Sequence, residues 1–208
     1  MNLLITGCCG HIGSYVAENV HKIKKIKKTI LVDNIKSNRF CSLFNLKKKN
    51  NLKFYLIDVD KKNSLDKFKN IHYVIHCASM TNAEKSFGKE KDMYKNNIKC
   101  LENVIDFCKK NKSKLIHLSS TSVYGKQAKI VDETCEKKYL KPQSPYAEIK
   151  IIEERMLNKM DKKIKYNTYR FGTITGVSKG MRFHTAVNKF CLNAAINENI
   201  NIQTMLIQ

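Results

Sequence analysis

Tyr146 and Lys150, in the stretch SPYAEIK (144–150), stand four positions apart. On a helix both side chains would share one face, one turn from each other. Such a pair can do acid–base chemistry, or it can be an accident of a lysine-rich chain. There are 35 lysines and nine tyrosines among 208 residues, yet only Tyr146 has a lysine four residues on. The spacing alone decides nothing, so its surroundings must. A second stretch with chemical promise is TGCCGHIGS (6–14), where Gly7, Gly10 and Gly13 form a G-x-x-G-x-x-G spacing. A tight turn needs one residue without Cβ, close approach of a pyrophosphate needs another, and helix-to-strand packing needs the third. A helix starting there presents free N–H groups and a positive dipole end to phosphates. Asp33 follows Gly13 by twenty residues and ends the next apolar run, where a carboxylate can take both hydroxyls of an adenosine ribose. Together these features predict a dinucleotide site.

The elements that must position these residues alternate along the chain. Apolar runs predict strands at NLLIT (2–6), TILVD (29–33), LKFYLID (52–58), HYVIHCA (72–78), KLIHLSS (114–120) and IKYNTYRF (164–171). Helical patterns lie between them: about 11–25, the helix-like SLDKFKN (64–70), and a long stretch from about 89 to 110. Another helix opens at Ser144–Pro145, a cap and a first-turn proline, and runs to about Met160. A further strand is a candidate near the final INIQTMLIQ (200–208). Strands alternating with helices of this length imply an α/β fold, a doubly wound parallel sheet covered on both faces.

Length and composition narrow the class. A chain of 208 residues suits one domain with a full core and part of a second, and 42% apolar residues argue against disorder. No apolar run approaches the roughly 20 residues that span a bilayer, and MNLLITGCCG is not a secretory signal. The eight cysteines show no metal-ligand spacing and read as reduced thiols in a cytoplasmic protein, with no metal expected. The net charge of +21 raises the question of nucleic acid. The excess is 35 Lys against four Arg, with 21 Asn beside them, as an AT-rich coding bias would produce. Runs such as HKIKKIKK (21–28) and LKKKN (46–50) lack interleaved aromatics for base stacking, which disfavours nucleic acid as a partner.

From residue 2 to about 200 the chain resembles the extended short-chain dehydrogenases/reductases that act on nucleotide sugars, typified by UDP-glucose 4-epimerase. The likeness is carried, in order, by TGCCGHIG, LVDN (31–34), LIDVD (56–60), HCAS (76–79), NNIKCLENV (96–104), LSSTSVYG (118–125), SPYAEIK and RFGTITG (170–176). The resemblance implies a Rossmann domain over residues 1–175, NAD as cofactor, and the start of a substrate lobe over 176–208. It implies that Gly7, Gly10, His11, Ile12 and Gly13 hold the pyrophosphate, that Asp33 and Asn34 hold the ribose, and that Asp58 and Val59 hold the adenine. Cys77, Ala78 and Ser79 would line the path to the nicotinamide, and Asn97 would support the cofactor site from the long helix. Ser120, Tyr146 and Lys150 would be the catalytic group. A free phenol titrates at about 10, and a nearby ammonium and the nicotinamide charge favour its phenolate. Tyr146 would then take the proton from a sugar hydroxyl, Ser120 would hydrogen-bond that oxygen, and Lys150 would also hold the nicotinamide ribose.

The resemblance further implies a UDP-, dTDP- or GDP-linked sugar as substrate, contacted by Ser120, Thr121, Tyr146, Thr173, Arg182 and Asn188, and a homodimer for the full-length member. Relatives that dehydrate or decarboxylate carry acidic residues after the strand-end hydroxyl, whereas this chain has Thr121 and Ser122. Epimerisation through a transient keto intermediate is therefore the leading expectation. Other nucleotide-sugar redox or dehydratase chemistry remains open, as does a catalytically silent dinucleotide- or RNA-binding Rossmann protein. Thr173 stands where the family usually has asparagine near a substrate phosphate. The family also continues into a C-terminal lobe beyond this chain's length, so a truncated member with impaired turnover is expected.

Overall fold

A computed structural model describes residues 1–47, 51–81, 88, 90–127, 130–160, 162–183 and 185–200. The strands are β1 (Asn2–Thr6), β2 (Lys28–Asp33), β3 (Leu52–Leu56), β4 (Tyr73–His76), β5 (Lys114–Ser120) and β6 (Lys165–Phe171). The helices are α1 (His11–Asn19), α2 (Glu90–Asn111), α3 (Pro145–Asn158) and α4 (Ala186–Ala195). All six strands run parallel in one sheet, ordered β3-β2-β1-β4-β5-β6. This is the doubly wound Rossmann arrangement, whose strand order reverses between β1 and β4 and opens a crevice at the carboxyl ends there.

Strand alternation divides the core in two. Leu4 pairs with Ile30 and Val74, and Val74 with Leu115, so these four face one side. There they bury against Leu101, Val104, Phe107 and Cys108 of α2 and Leu157 of α3. Leu3, Ile5 and Leu31 face the other side and pack with Cys8 and Cys9 of the turn after β1, Ala17 of α1 and Val20 just beyond it. Burying each large aliphatic contributes on the order of 1.5–3 kcal/mol, which holds the helices to the sheet despite the lysine-rich surface.

Three expectations differ from the structure. The first helix is shorter than 11–25: it ends at Asn19 and passes through a 3₁₀ turn at Val20–Lys22. The chain must then turn back so that Lys27 N can bond Met1 O and β2 can pair with β1. SLDKFKN forms turns rather than a helix. Asn63 and Asn70 adopt left-handed conformations at φ 60° and 57° on either side, leaving too few residues for helix while Leu65 and Phe68 still reach the core. Helix α4 had no counterpart in the sequence pattern. Residue 89, residues 48–50 of the lysine run and the candidate strand beyond residue 200 lie outside the described residues.

Candidate active site

The glycine turn links β1 to α1. Gly7 adopts φ 66°, and a Cβ on it would lie 2.5 Å from the backbone of Cys77 and Ala78. A Cβ on Gly13 would lie 2.2 Å from Gly7 O, so this glycine is what lets the helix sit against the turn. Gly10 differs: nothing comes within 3.4 Å of its missing Cβ, and the residue lines the cleft. Its bareness leaves room for a ligand rather than for the protein. The first helical bond is Ser14 N to Gly10 O at 2.8 Å, and no side chain caps α1. The N–H groups of His11, Ile12 and Gly13 thus stand outside the helix ladder, at the cleft wall. A bare cradle and an uncapped helix start fit a dinucleotide pyrophosphate.

At the far end, Asp33 is buried and its two oxygens accept from Cys9 N at 2.9 Å and Ile35 N at 2.8 Å. An ionised carboxylate has further lone pairs for ribose hydroxyls. Asn34 Nδ2 donates to Asp58 Oδ1 at 3.0 Å and Lys36 Nζ to Asp58 Oδ2 at 2.5 Å. Partial burial of Asp58 opposes ionisation, but those two donors outweigh it and hold the carboxyl below its ordinary value. Val59 lines the same end, together with Lys36, Ser37 and Arg39, which the sequence had not singled out.

Ser120, Tyr146 and Lys150 gather where β5 ends. Ser120 Oγ accepts from Ser122 N at 3.2 Å and Ser122 Oγ at 2.8 Å, so its own proton is free to be donated outward. Ser144 caps α3 by accepting from Ala147 N at 3.2 Å, and Pro145 opens the helix. This start sets Tyr146 and Lys150 on the face toward β5. Lys150, only 4% exposed, donates to Leu118 O at 3.1 Å and Glu153 Oε2 at 2.7 Å, with its Nζ 5.7 Å from the Tyr146 ring centre. Burial alone would push the Lys150 ammonium down, but Glu153, aided by Tyr146, raises it above its ordinary value. Ser120, Thr121, Tyr146, Lys150 and Thr173 line one cleft of about 1520 Å³ that also contains the glycine turn and Asp33.

Other expected residues are distributed around it. Cys77, Ala78 and Ser79 line the cleft beyond β4. Burial pushes the Cys77 thiol up to about 12. His11 also lines it, while its Nε2 bonds Gly176 O at 2.9 Å. Arg182 reaches the cleft and donates to Thr81 Oγ1, and burial holds its guanidinium below its ordinary value. Two residues do not join the lining. Asn97 is fully buried and clamps Met80, accepting from its N at 2.8 Å and donating to its O at 3.0 Å. Asn188 is buried too, its Nδ2 held by Ile174 O and Arg182 O. Both act on the loops that border the cleft.

The fold also assembles Cys8, Cys9 and Asp33 within 4.8 Å, a grouping that linear spacing did not reveal. The Asp33 oxygens already take backbone donors, and the hydrogen bond from Cys9, then burial, pushes the Cys8 thiol up. Sequence reasoning missed Glu153 and His117; a glutamate three residues after Lys150 was the available signal for the first.

A six-stranded doubly wound sheet with a bare glycine cradle and a Ser–Tyr–Lys wall defines a dinucleotide-binding α/β domain. Residues 3–204 match the NAD dependent epimerase/dehydratase family, and the chain belongs to it. It is 30% identical over 180 residues to the dTDP-D-glucose 4,6-dehydratase of Dictyostelium discoideum, covering 78% of this chain and 41% of that protein. Among solved structures it resembles a UDP-N-acetylglucosamine 4-epimerase from Methanobrevibacter ruminantium M1, with TM-score 0.82 and 25% identity over 95% of this chain and 64% of that one. The fold also matches UDP-glucuronic acid 4-epimerase from Bacillus cereus, with TM-score 0.83 and 23% identity over 96% and 65%. The chain thus spans less than two thirds of the length of each. No helix among the described residues is long and apolar enough to cross a membrane.

Proposed function

We propose that this chain carries the NAD-binding and catalytic part of a nucleotide-sugar epimerase, with residues 1–175 as that part and 176–208 opening the substrate lobe. NAD, when bound, supplies the acceptor and donor of a hydride. Gly7, Gly10 and Gly13 with the start of α1 hold its pyrophosphate, Asp33 its adenosine ribose, and Lys150 its nicotinamide ribose. Tyr146 takes the proton from a sugar hydroxyl and later returns it, while Ser120 donates a hydrogen bond to the same oxygen. Thr121, Thr173 and Arg182 face the space left for a UDP-, dTDP- or GDP-linked sugar.

The observation that supports epimerisation over dehydration is the row of hydroxyls at 120–122. Elimination of water needs a further acid–base pair beside the reacting carbon. Among the described residues the carboxylates lining the cleft are Asp33 and Asp58 at the adenosine end and Asp92 in the first turn of α2. Thr121 and Ser122 occupy the positions next to Ser120. Redox at one carbon, with hydride returned to the opposite face, needs nothing more.

The test is a coupled assay with UDP-, dTDP- and GDP-sugars, run on the 208-residue chain and on its fusion to the C-terminal part of a relative. Turnover at one sugar carbon without loss of water is expected in the fusion. Tyr146→Phe should abolish it while leaving NADH affinity within about twofold, because uniform binding is kept and only transition-state interaction is lost. Release of a 4-keto-6-deoxy product instead would replace epimerase with dehydratase. Salt-sensitive RNA retention that ignores NAD, with no turnover, would favour a silent binding protein.

A further inference from the structure

Lys150 is enclosed by titratable groups from three elements. Tyr146 and Glu153 face it from its own helix, His117 from β5, and His76 and Cys77 from β4 and the residue after it. His76 and His117 are register partners on adjacent strands, so both rings lie on the α3 side of the sheet. Glu153 Oε2 joins two of these groups: it accepts from Lys150 Nζ at 2.7 Å and from His117 Nε2 at 2.9 Å. All three side chains are at least 95% buried.

The protonation states follow from the bonds. Lys150 and burial act against each other on Glu153; burial raises it, yet Lys150 and His117 prevail and hold it down at about 2. An ionised carboxylate only accepts, so His117 must donate through Nε2–H. Burial pushes His117 below its ordinary value, which makes it the neutral ring, and its Nδ1 then accepts from Thr168 Oγ1 at 3.3 Å. The carboxylate is therefore held from behind by His117 where it faces the ammonium. Lys150 has three N–H donors, and Leu118 O and Glu153 take two. The third is left for the cleft that Lys150 lines. The neighbouring Glu154 cannot substitute, because it is turned toward Ser119 and Arg170.

We propose that Glu153 is a positioning residue of this site: it keeps the Lys150 ammonium charged and aims its third N–H at the hydroxyls of a bound nicotinamide ribose. This rests on the cofactor geometry given under Proposed function. Without a carboxylate partner, a buried ammonium sheds its proton as pH rises, since burial favours the neutral form. NADH affinity should then acquire a pH dependence that the intact pair suppresses. A merely structural role would lower stability but would not create that dependence.

The experiment is fluorescence titration of NADH between pH 6 and 9.5 on the 208-residue chain, with thermal unfolding measured alongside. Wild type should vary less than about threefold across this range. Glu153→Gln keeps the shape and should lose about tenfold in affinity between pH 6 and 9.5, as expected for losing one charge-assisted bond. Glu153→Asp, which restores a carboxylate, should return most of the flat profile, and Lys150→Met should bind weakly and evenly at every pH. A flat profile for folded Glu153→Gln overturns the proposal, as does a slope in Glu153→Asp as steep as that of Gln. If Glu153→Gln does not fold, the wild-type profile decides: a tenfold fall by pH 9.5 overturns the proposal, and a flat profile with weak Lys150→Met supports it. No sugar is needed, so absent epimerase turnover counts against the epimerase reading alone, whereas absent NADH binding in wild type overturns both.

Discussion

Arg170, near the end of β6, grips Glu154 of α3 through two bonds, Nε to Oε1 at 2.9 Å and Nη2 to Oε2 at 2.7 Å. The same carboxylate accepts from Ser119 Oγ at 2.6 Å, and Arg170 Nη1 donates to Tyr124 OH at 3.0 Å. One ion pair thus joins β5, the turn after Ser120, α3 and β6, the four pieces of the wall that carries Ser120, Tyr146 and Lys150. Its side chains are only 17% and 13% exposed, so the pair is only weakly screened by water.

Removing one partner of this pair leaves the other buried without compensation. Glu154→Ala is expected to cost about 2–3 kcal/mol, at or slightly below the range for breaking a buried pair, and to lower Tm by roughly 5–10 °C for a chain of this size. Arg170→Lys keeps the charge but not the planar fork, and should cost about half as much. Differential scanning calorimetry checks both; an unchanged Tm in Glu154→Ala would show that the fork does not hold the wall.

Two glycines of the same turn should fail in different ways. Gly13→Ala puts a Cβ 2.2 Å from backbone at Gly7 O, so the helix must shift and both stability and NADH binding should fall. Gly10→Ala meets nothing within 3.4 Å and should fold with nearly native Tm while NADH affinity drops at least about tenfold, because the methyl occupies ligand space. Native NADH affinity in Gly10→Ala would place the pyrophosphate elsewhere.

Asp33 should make the site prefer NADH over NADPH, since a 2′-phosphate would meet its carboxylate. Lys36 is held by Asp58, but Arg39 lines this end of the cleft. Asp33→Ser is therefore expected to weaken NADH by about tenfold and narrow the gap to NADPH, a loss of one bidentate charge-assisted contact. Tighter NADPH binding by the wild type would overturn the assignment.

Acid should destabilise the fold in two stages. Burial lowers His76 from 6.5 to about 3, so the folded ring resists a proton that the unfolded chain accepts. With a depressed folded value, stability is full above pH 6.5 and falls as pH drops toward 3. Glu153, lowered from 4.5 to about 2, adds a second loss as pH falls below 4.5. Thermal melts should be flat from pH 7 to 8 and decline below 6.5. His76→Asn, whose Oδ1 can still accept from Thr6, should remove part of the decline between pH 6.5 and 4.5; an identical decline would assign it to other groups.

Much of this protein was legible in its residues because the relevant signals are local. The alternation of apolar runs marked all six strands to within a few residues, and Ser144–Pro145 marked the start of α3. The glycine spacing announced a turn whose φ at Gly7 only glycine readily adopts. Where local signals competed with closure of the sheet they failed: the lysine-rich end of the first helix yielded to the turn that lets β2 pair with β1, and left-handed asparagines broke SLDKFKN.

Sequence by itself determined which groups could do chemistry, since Tyr146 and Lys150 meet through helix geometry and Gly7, Gly10 and Gly13 through one turn. Only the tertiary structure decided what stands behind them. His117 and Glu153 are 36 residues apart and meet because β5 packs under α3. Asn188 was expected at the substrate, yet its amide is occupied by Ile174 O and Arg182 O, while Asn97 supports the cleft through the backbone of Met80. Adjacent Glu153 and Glu154 have the same chemistry but different partners, because a helix turns them about 100° apart and only sheet register fixes which strand residue each one meets.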